Sequence, residues 1–164
     1  MNTNKDIPSA IAINNQFIYT FGGCTPNPGA PKPEKDIDTI ERYDITKNEW
    51  QLLDLKLNSV NCWSGCFSPE PNKVVIVGGY VWHDKVELID LETNKWEPLP
   101  KMNEKRSTLP SQICYIDGYA YVAGGENGPK AEKFDYKEKK WIPLPNYPIS
   151  SNLDRWPTAL TYIP

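Results

Sequence analysis

The chain has 164 residues, 39% hydrophobic and 12% aromatic, with a formal net charge of −3. That composition belongs to a globular chain with room for a sizeable core, and its charge gives no attraction to nucleic acid or to an anionic membrane surface. No apolar run approaches the roughly 20 residues that span a bilayer, and the opening MNTNKDIPSA lacks an apolar signal core, so secretion is not expected.

Sixteen prolines and ten glycines point to many turns. After a lead over residues 1–8, strands are predicted near Ser9–Ile13 and Gln16–Phe21, the second stopped by Gly22 and Gly23. CTPNPGAPKPEKD follows, with four prolines, and reads as extended and semi-rigid. Strands near Ile37–Asp44 and Glu49–Leu53 close this first unit. A second unit has strands near Cys62–Phe67 and Val74–Val77, the latter stopped by Gly78 and Gly79, with the turn SPEPNK between them. Val86–Leu91 follows the loop YVWHDK; then come the turn ETN and a short strand around Trp96 that the prolines of EPLP are expected to end. The third unit has strands near Ser111–Ile116, Tyr119–Ala123, Ala131–Tyr136 and Lys140–Pro143, with Gly124 and Gly125 after the second. TALTYI reads as the first strand of an unfinished fourth unit. The units are bounded as 9–55, 56–100 and 101–145, with 146–164 as linker and extra strand. β-Branched and aromatic residues favour strands throughout, and no stretch holds a helical period.

The units repeat one another. Asp44 to Trp50, Asp90 to Trp96 and Asp135 to Trp141 are each six residues apart, and an apolar residue precedes each acid: Tyr43, Ile89 and Phe134. The tryptophans recur after 46 and then 45 residues. A fixed period of this length marks a repeat architecture, because a lone four-stranded sheet cannot bury its own faces. The pattern resembles the kelch repeat: a glycine pair after an apolar strand, then an aromatic residue, then a tryptophan near the end of the unit. WEPLPKMNEKR, from Trp96 to Arg106, matches that family's junction between units. The first junction, WQLLDLKLNSVNCW, lacks its methionine and arginine, and the last, WIPLPNYPISSNLDRW, keeps an arginine at Arg155 but not the methionine.

The resemblance covers roughly Ser9 to the C-terminus. It implies an all-β fold, a partial β-propeller of three four-stranded antiparallel blades plus one strand, with the first strand of each blade beside a central channel. Propellers close with roughly four to eight blades. Further blades, from the same longer chain or another chain, are therefore expected to complete the ring. Gly22, Gly23, Gly78, Gly79, Gly124 and Gly125 are then sites of backbone bending or close approach. Tyr43, Trp50, Ile89, Trp96, Phe134 and Trp141 are blade-to-blade packing.

In an up-and-down blade the loops after the second strand and the connections between blades share one end, and the remaining turns share the other. The first set is long and varied here, and variable loops on a rigid scaffold are where binding resides. Tyr80, Trp82 and His83 in YVWHDK have no evident core role, and aromatic residues are enriched in interface hot spots. Arg106, Arg155 and Trp156 lie in connections on the same end. All six are candidate partner-binding residues, with Arg106 also at the family's structural repeat position. The proline-rich loop reads either as a docking arm or as a tolerated insertion.

No catalytic residue, metal site or cofactor is expected. His83 is the only histidine, and no nucleophile elbow or phosphate loop is present. Cys24, Cys62, Cys66 and Cys114 read as reduced structural thiols; Cys62 and Cys66, four apart, are expected on one face of a strand, and their spacing is not that of a zinc motif. The expected function is a non-catalytic, cytoplasmic protein-interaction module or a subunit of a larger assembly. The resemblance implies ubiquitin-ligase substrates or the cytoskeleton as contexts. The alternative is a sugar-active enzyme of the kelch type, an oxidase or mutarotase completed by other blades; the copper oxidase type uses two histidines and two tyrosines.

Overall fold

The computed structural model describes residues 2–25, 35–81, 83–106, 113–124 and 129–146. They form twelve strands in three antiparallel sheets, with no helix among them. The first sheet contains β1 (Ser9–Ile13), β2 (Phe17–Phe21), β3 (Thr39–Asp44) and β4 (Glu49–Lys56). The second contains β5 (Gly65–Glu70), β6 (Lys73–Val77), β7 (Val86–Asp90) and β8 (Lys95–Leu99). The third contains β9 (Ile113–Ile116), β10 (Tyr119–Ala123), β11 (Ala131–Asp135) and β12 (Lys140–Leu144). Each sheet runs in simple chain order. β1 lies beside β5 and β5 beside β9, so the sheets fan out from their first strands as the blades of a partial β-propeller.

The cores lie between the blades. Ile13, Tyr19, Phe21 and Ile40 of the first blade meet Cys66, Val74, Ile76 and Ile89 of the second. Phe67, Val75, Val77 and Leu88 meet Ile113, Val122, Phe134 and Trp141 of the third. Side chains alternate across a strand, so the middle blade is buried on both faces. That is why β6 reads Val-Val-Ile-Val without a polar break, each residue fully buried. In β10 only Ala120 and Val122 face a core; Tyr119 and Tyr121 stay half-buried with the Lys133 ammonium over the Tyr119 ring, 4.1 Å from its centroid.

The repeated six-residue spacing is a turn. Asp44 pairs with Glu49 and Tyr43 with Trp50, leaving four residues in the loop. The Asp44 carboxylate accepts the Thr46 and Lys47 amides, and that of Asp90 accepts the Glu92 and Thr93 amides at 2.9 Å each. In the third blade the Asp135 carboxylate accepts the Glu138 amide. The residue that turns the chain back has positive φ: Asn48, Asn94 and Lys139. Fixing this loop fixes which residue faces each tryptophan: Tyr43–Trp50, Ile89–Trp96 and Phe134–Trp141 are all registered pairs.

The tryptophan side of the second and third blades meets the blade before it. The Trp96 indole N–H donates to the Lys56 carbonyl and that of Trp141 to the Pro100 carbonyl, 3.2 and 2.9 Å away. The packing role expected of these anchors thus has a polar component as well. Trp50, half-buried, has no such bond among the described residues; its face of the first blade meets Asn2 and Thr3 instead, which bond to the Trp50 carbonyl and to Glu41.

Several strand limits differ from expectation. β5 begins at Gly65, not Cys62, and runs through Pro69 to Glu70, so the turn to β6 is only Pro71-Asn72. Cys62 therefore precedes the strand and does not share a face with Cys66. The prolines of EPLP do not end the pairing at their first occurrence: Pro98 sits inside β8 opposite Glu87, and Pro143 inside β12 opposite Glu132. Both strands are outer edges, where a missing N–H breaks no ladder. TALTYI and Gly125 fall outside the described residues.

Candidate interaction face

The two ends of the blades separate as the topology requires. At one end, the turn after β1 meets the turn after β5, where the Asn14 side-chain amide donates to Asn72, and the Tyr136 hydroxyl donates to Glu70 at 2.8 Å. At the other end the loop after β6 joins both inter-blade connections. The Tyr80 amide donates to the Cys62 carbonyl, 2.8 Å away, and the Arg106 amide to the His83 carbonyl, 3.0 Å away. The loop closes on itself through the His83 amide and the Gly79 carbonyl at 2.9 Å. Among the described residues its tip is the most open apolar spot at this end: Tyr80 is 51% exposed and Val81 46% exposed. His83 is half-buried, its ring 6.4 Å from that of Tyr80.

Gly79 shows why this loop starts with glycine. Its φ is +115°, and a Cβ there would stand 2.3 Å from the Asn61 side-chain oxygen. Asn61 is fully buried and donates its side-chain amide to the Gly78 carbonyl. Gly22, at φ +62°, is crossed even more closely by the Asn61 backbone carbonyl, 2.2 Å from where a Cβ would be. The first two glycine pairs let the first inter-blade connection cross directly over the ends of β2 and β6.

Arg106 does not reach the surface. Its guanidinium is 1% exposed and donates to the Gly124 and Lys130 carbonyls and to Glu132, the last at 2.9 Å. The first junction lacks this arginine, and Asn61 takes its bond to the glycine carbonyl. Leu57 fills the place of Met102: the Leu57 amide donates to the Asp38 carbonyl and the Met102 amide to the Asp84 carbonyl. The extra residue of that junction is absorbed by a register shift between Thr39 and Glu41 opposite the long β4.

Sequence reasoning overlooked the acids these junctions serve. Glu41, Glu87 and Glu132 are buried at the same position of β3, β7 and β11. Glu132 also accepts the Asn103 backbone and side-chain amides. Glu87 is paired with Lys85 at 2.8 Å and accepts from Asn58. Glu41 is held by the Thr3 amide and hydroxyl, with Lys5 beside it. Burial lowers the Lys5 pKa, and the Glu41 charge opposes that shift. The signal was present in the sequence, since a glutamate stands three residues before each repeated aspartate.

A second grouping lies beside the same loops. Cys24, Asp36 and Cys62 bring two sulfurs and a carboxylate oxygen within 4.8 Å of one another. The Cys62 thiol donates to Asp36 at 3.2 Å, and the Cys24 thiol to the Asp6 carbonyl at 3.6 Å. Burial pushes both thiol pKa values up, and the Asp36 carboxylate adds to the shift. Trp82, Arg155 and Trp156 lie outside the described residues.

Three stacked four-stranded blades, glycine-crossed at one end and cross-linked by tryptophans, define a propeller of repeated blades. The chain belongs to the kelch-repeat family: the kelch motif matches residues 9–53 and 71–103. It is similar to an F-box/kelch-repeat protein of Arabidopsis thaliana, 32% identical over 139 residues, covering 76% of this chain and 32% of that protein. It is also similar to Kelch-like protein 38 of Danio rerio, at 30% over 118 residues (71% of this chain, 18% of that one). A Kelch repeat protein C2 of vaccinia virus is 29% identical over 120 residues, 67% of this chain and 22% of that one. The chain spans about a third or less of the length of these relatives.

Proposed function

We propose that this chain is a non-catalytic interaction module that binds a protein partner through the end carrying the loop after β6 and the inter-blade connections. The observation that carries this is the Tyr80–Val81 tip: an aromatic and an aliphatic side chain, each about half exposed, on a loop pinned to both neighbouring connections. An anchor held in place loses little conformational freedom on binding. Trp82 in the same loop, and Arg155 and Trp156 in the last connection, extend the surface in this reading. His83 contributes mainly through its backbone. Arg106 drops out as a contact residue because it is buried.

The similarity to an F-box/kelch-repeat protein supports a role as a ubiquitin-ligase substrate adaptor, with a cytoskeletal scaffold as the other context. We place this activity in the cytoplasm, which tagged-protein imaging tests. We further propose that other blades, from the same longer chain or another, complete the ring. A photo-crosslinking residue at position 80 tests the face. It is expected to capture a discrete protein that the same residue at exposed position 92, on the opposite end, does not. Capture should be lost with Trp82→Ala and Arg155→Ala. Equal capture from both positions would overturn the assignment.

A further inference from the structure

Cys24, Asp36 and Cys62 come from three separate segments, and the fold brings them together. We propose that these three residues form a zinc site, with a fourth position left to water.

Placement is the first reason. Cys24 lies just after the first glycine pair, Asp36 at the far side of the 26–34 segment, and Cys62 in the connection to the second blade. Each is held by main-chain bonds. Cys24 bridges to Asp6 on one side and to Asp36 on the other. The Ile37 amide donates to the Gly23 carbonyl, the Gly23 amide to the Asn61 carbonyl, and the Cys62 carbonyl accepts from Tyr80. The donor atoms are therefore positioned by backbone that the blades already fix. Ligands of a tetrahedral zinc, with Zn–S about 2.3 Å and Zn–O about 2.0 Å, stand roughly 3.5–3.8 Å apart. The three atoms here fall within reach of that arrangement.

Donor chemistry is the second reason. Two thiolates with a carboxylate suit zinc, since soft sulfur discriminates against magnesium and calcium while the carboxylate oxygen disfavours Cu(I). Cys66 supplies the contrast. It is a core thiol among Ile13, Val74 and Ile76, with only the Ala10 carbonyl to donate to. The Cys24 and Cys62 sulfurs converge instead on each other and on an acid. Two residues flanking the cluster hold positive φ without being glycine: Ile7, at 51°, and Trp63, at 58°. A β-branched residue there is a genuine outlier, a kind of strain that gathers at ligand clamps.

The test uses the intact purified protein, reduced, stripped with a chelator and titrated with zinc against a chromophoric competitor. One zinc per chain is expected. Cys24→Ser and Cys62→Ser should each weaken binding by about 100-fold or more, and Asp36→Asn by about 10-fold. Cys66→Ser should bind like the wild type. Cobalt in place of zinc should give a thiolate-to-metal charge-transfer band that the Cys24 and Cys62 variants lose. Where a cysteine variant does not fold, the half-buried Asp36 still decides the matter. The proposal is overturned by no stoichiometric zinc, by equal binding in the variants, or by a Cys24–Cys62 disulfide as the stable state in reduced glutathione.

Discussion

A single left-handed residue in each outer turn determines whether the tryptophan lands opposite its partner. Asn94 holds φ 58° in an exposed turn. Asparagine tolerates that conformation because its short polar side chain can bond locally, whereas an alanine there costs about 1–2 kcal/mol. Asn94→Ala should lower stability by about that amount and Asn94→Gly by much less, as read from urea unfolding. The aspartates that cap these turns give a pH signature. Asp44 sits below the usual carboxylate range chiefly through the Thr46 hydroxyl, and Asp90 through the Thr93 amide. Their folded pKa values are depressed, so the stability they contribute is present above the unfolded value near 3.8 and is lost as pH falls through the folded value. Thermal scans from pH 6 downward should show a falling midpoint, with a shallower fall in the Asp44→Asn, Asp90→Asn double variant. Parallel curves would sink this account.

At the scale of one blade, the buried glutamate and whatever answers it lock a connection to the next sheet. The three blades use three answers: residues 3–5 for Glu41, Lys85 with Asn58 for Glu87, and Arg106 with Asn103 for Glu132. Only the third is a charge pair with both members almost wholly buried. Removing one partner of such a pair leaves an uncompensated charge, so Arg106→Ala should destabilise by about 3–5 kcal/mol. Arg106→Met with Glu132→Leu should recover most of that loss, because the pair's own net contribution is small against well-packed apolar groups. Equilibrium unfolding of both variants checks it. A mild Arg106→Ala would mean that water enters the junction.

The whole molecule presents unequal faces. In the second and third blades the tryptophan face packs on the blade before it, and on the first blade that face carries Tyr43, Trp50 and Leu52, with Leu52 47% exposed. Thr3 covers the Glu41 end of that face. In the further-blade reading proposed above, another sheet covers this face. The chain by itself is expected to run as a dimer or larger species in light scattering, and Leu52→Lys to shift it toward monomer. A soluble wild-type monomer would remove the need for further blades.

The period of 46 and 45 residues, the glycine pairs and the Asp-to-Trp spacing were enough to read three four-stranded blades, because each reflects local geometry: a turn of set length, or a strand end that must stay narrow. β6 was legible for the same reason, as its doubly buried stretch Val74–Val77 carries no polar residue. The strand limits around Cys62 and Pro98 were not, because a proline on an outer edge and a residue just before a strand have the same local composition as their neighbours. The candidate site divides likewise. The open Tyr80 tip follows from a loop with no apolar period, but the fate of Arg106 does not. A repeat arginine looks the same in sequence whether it points outward or, as here, closes on Glu132 26 residues away. Only the stacking of blades decided that, as it decided that Cys24, Asp36 and Cys62 meet. Sequence patterns record neighbours along the chain, whereas burial and ligand geometry depend on which segments the sheets bring together.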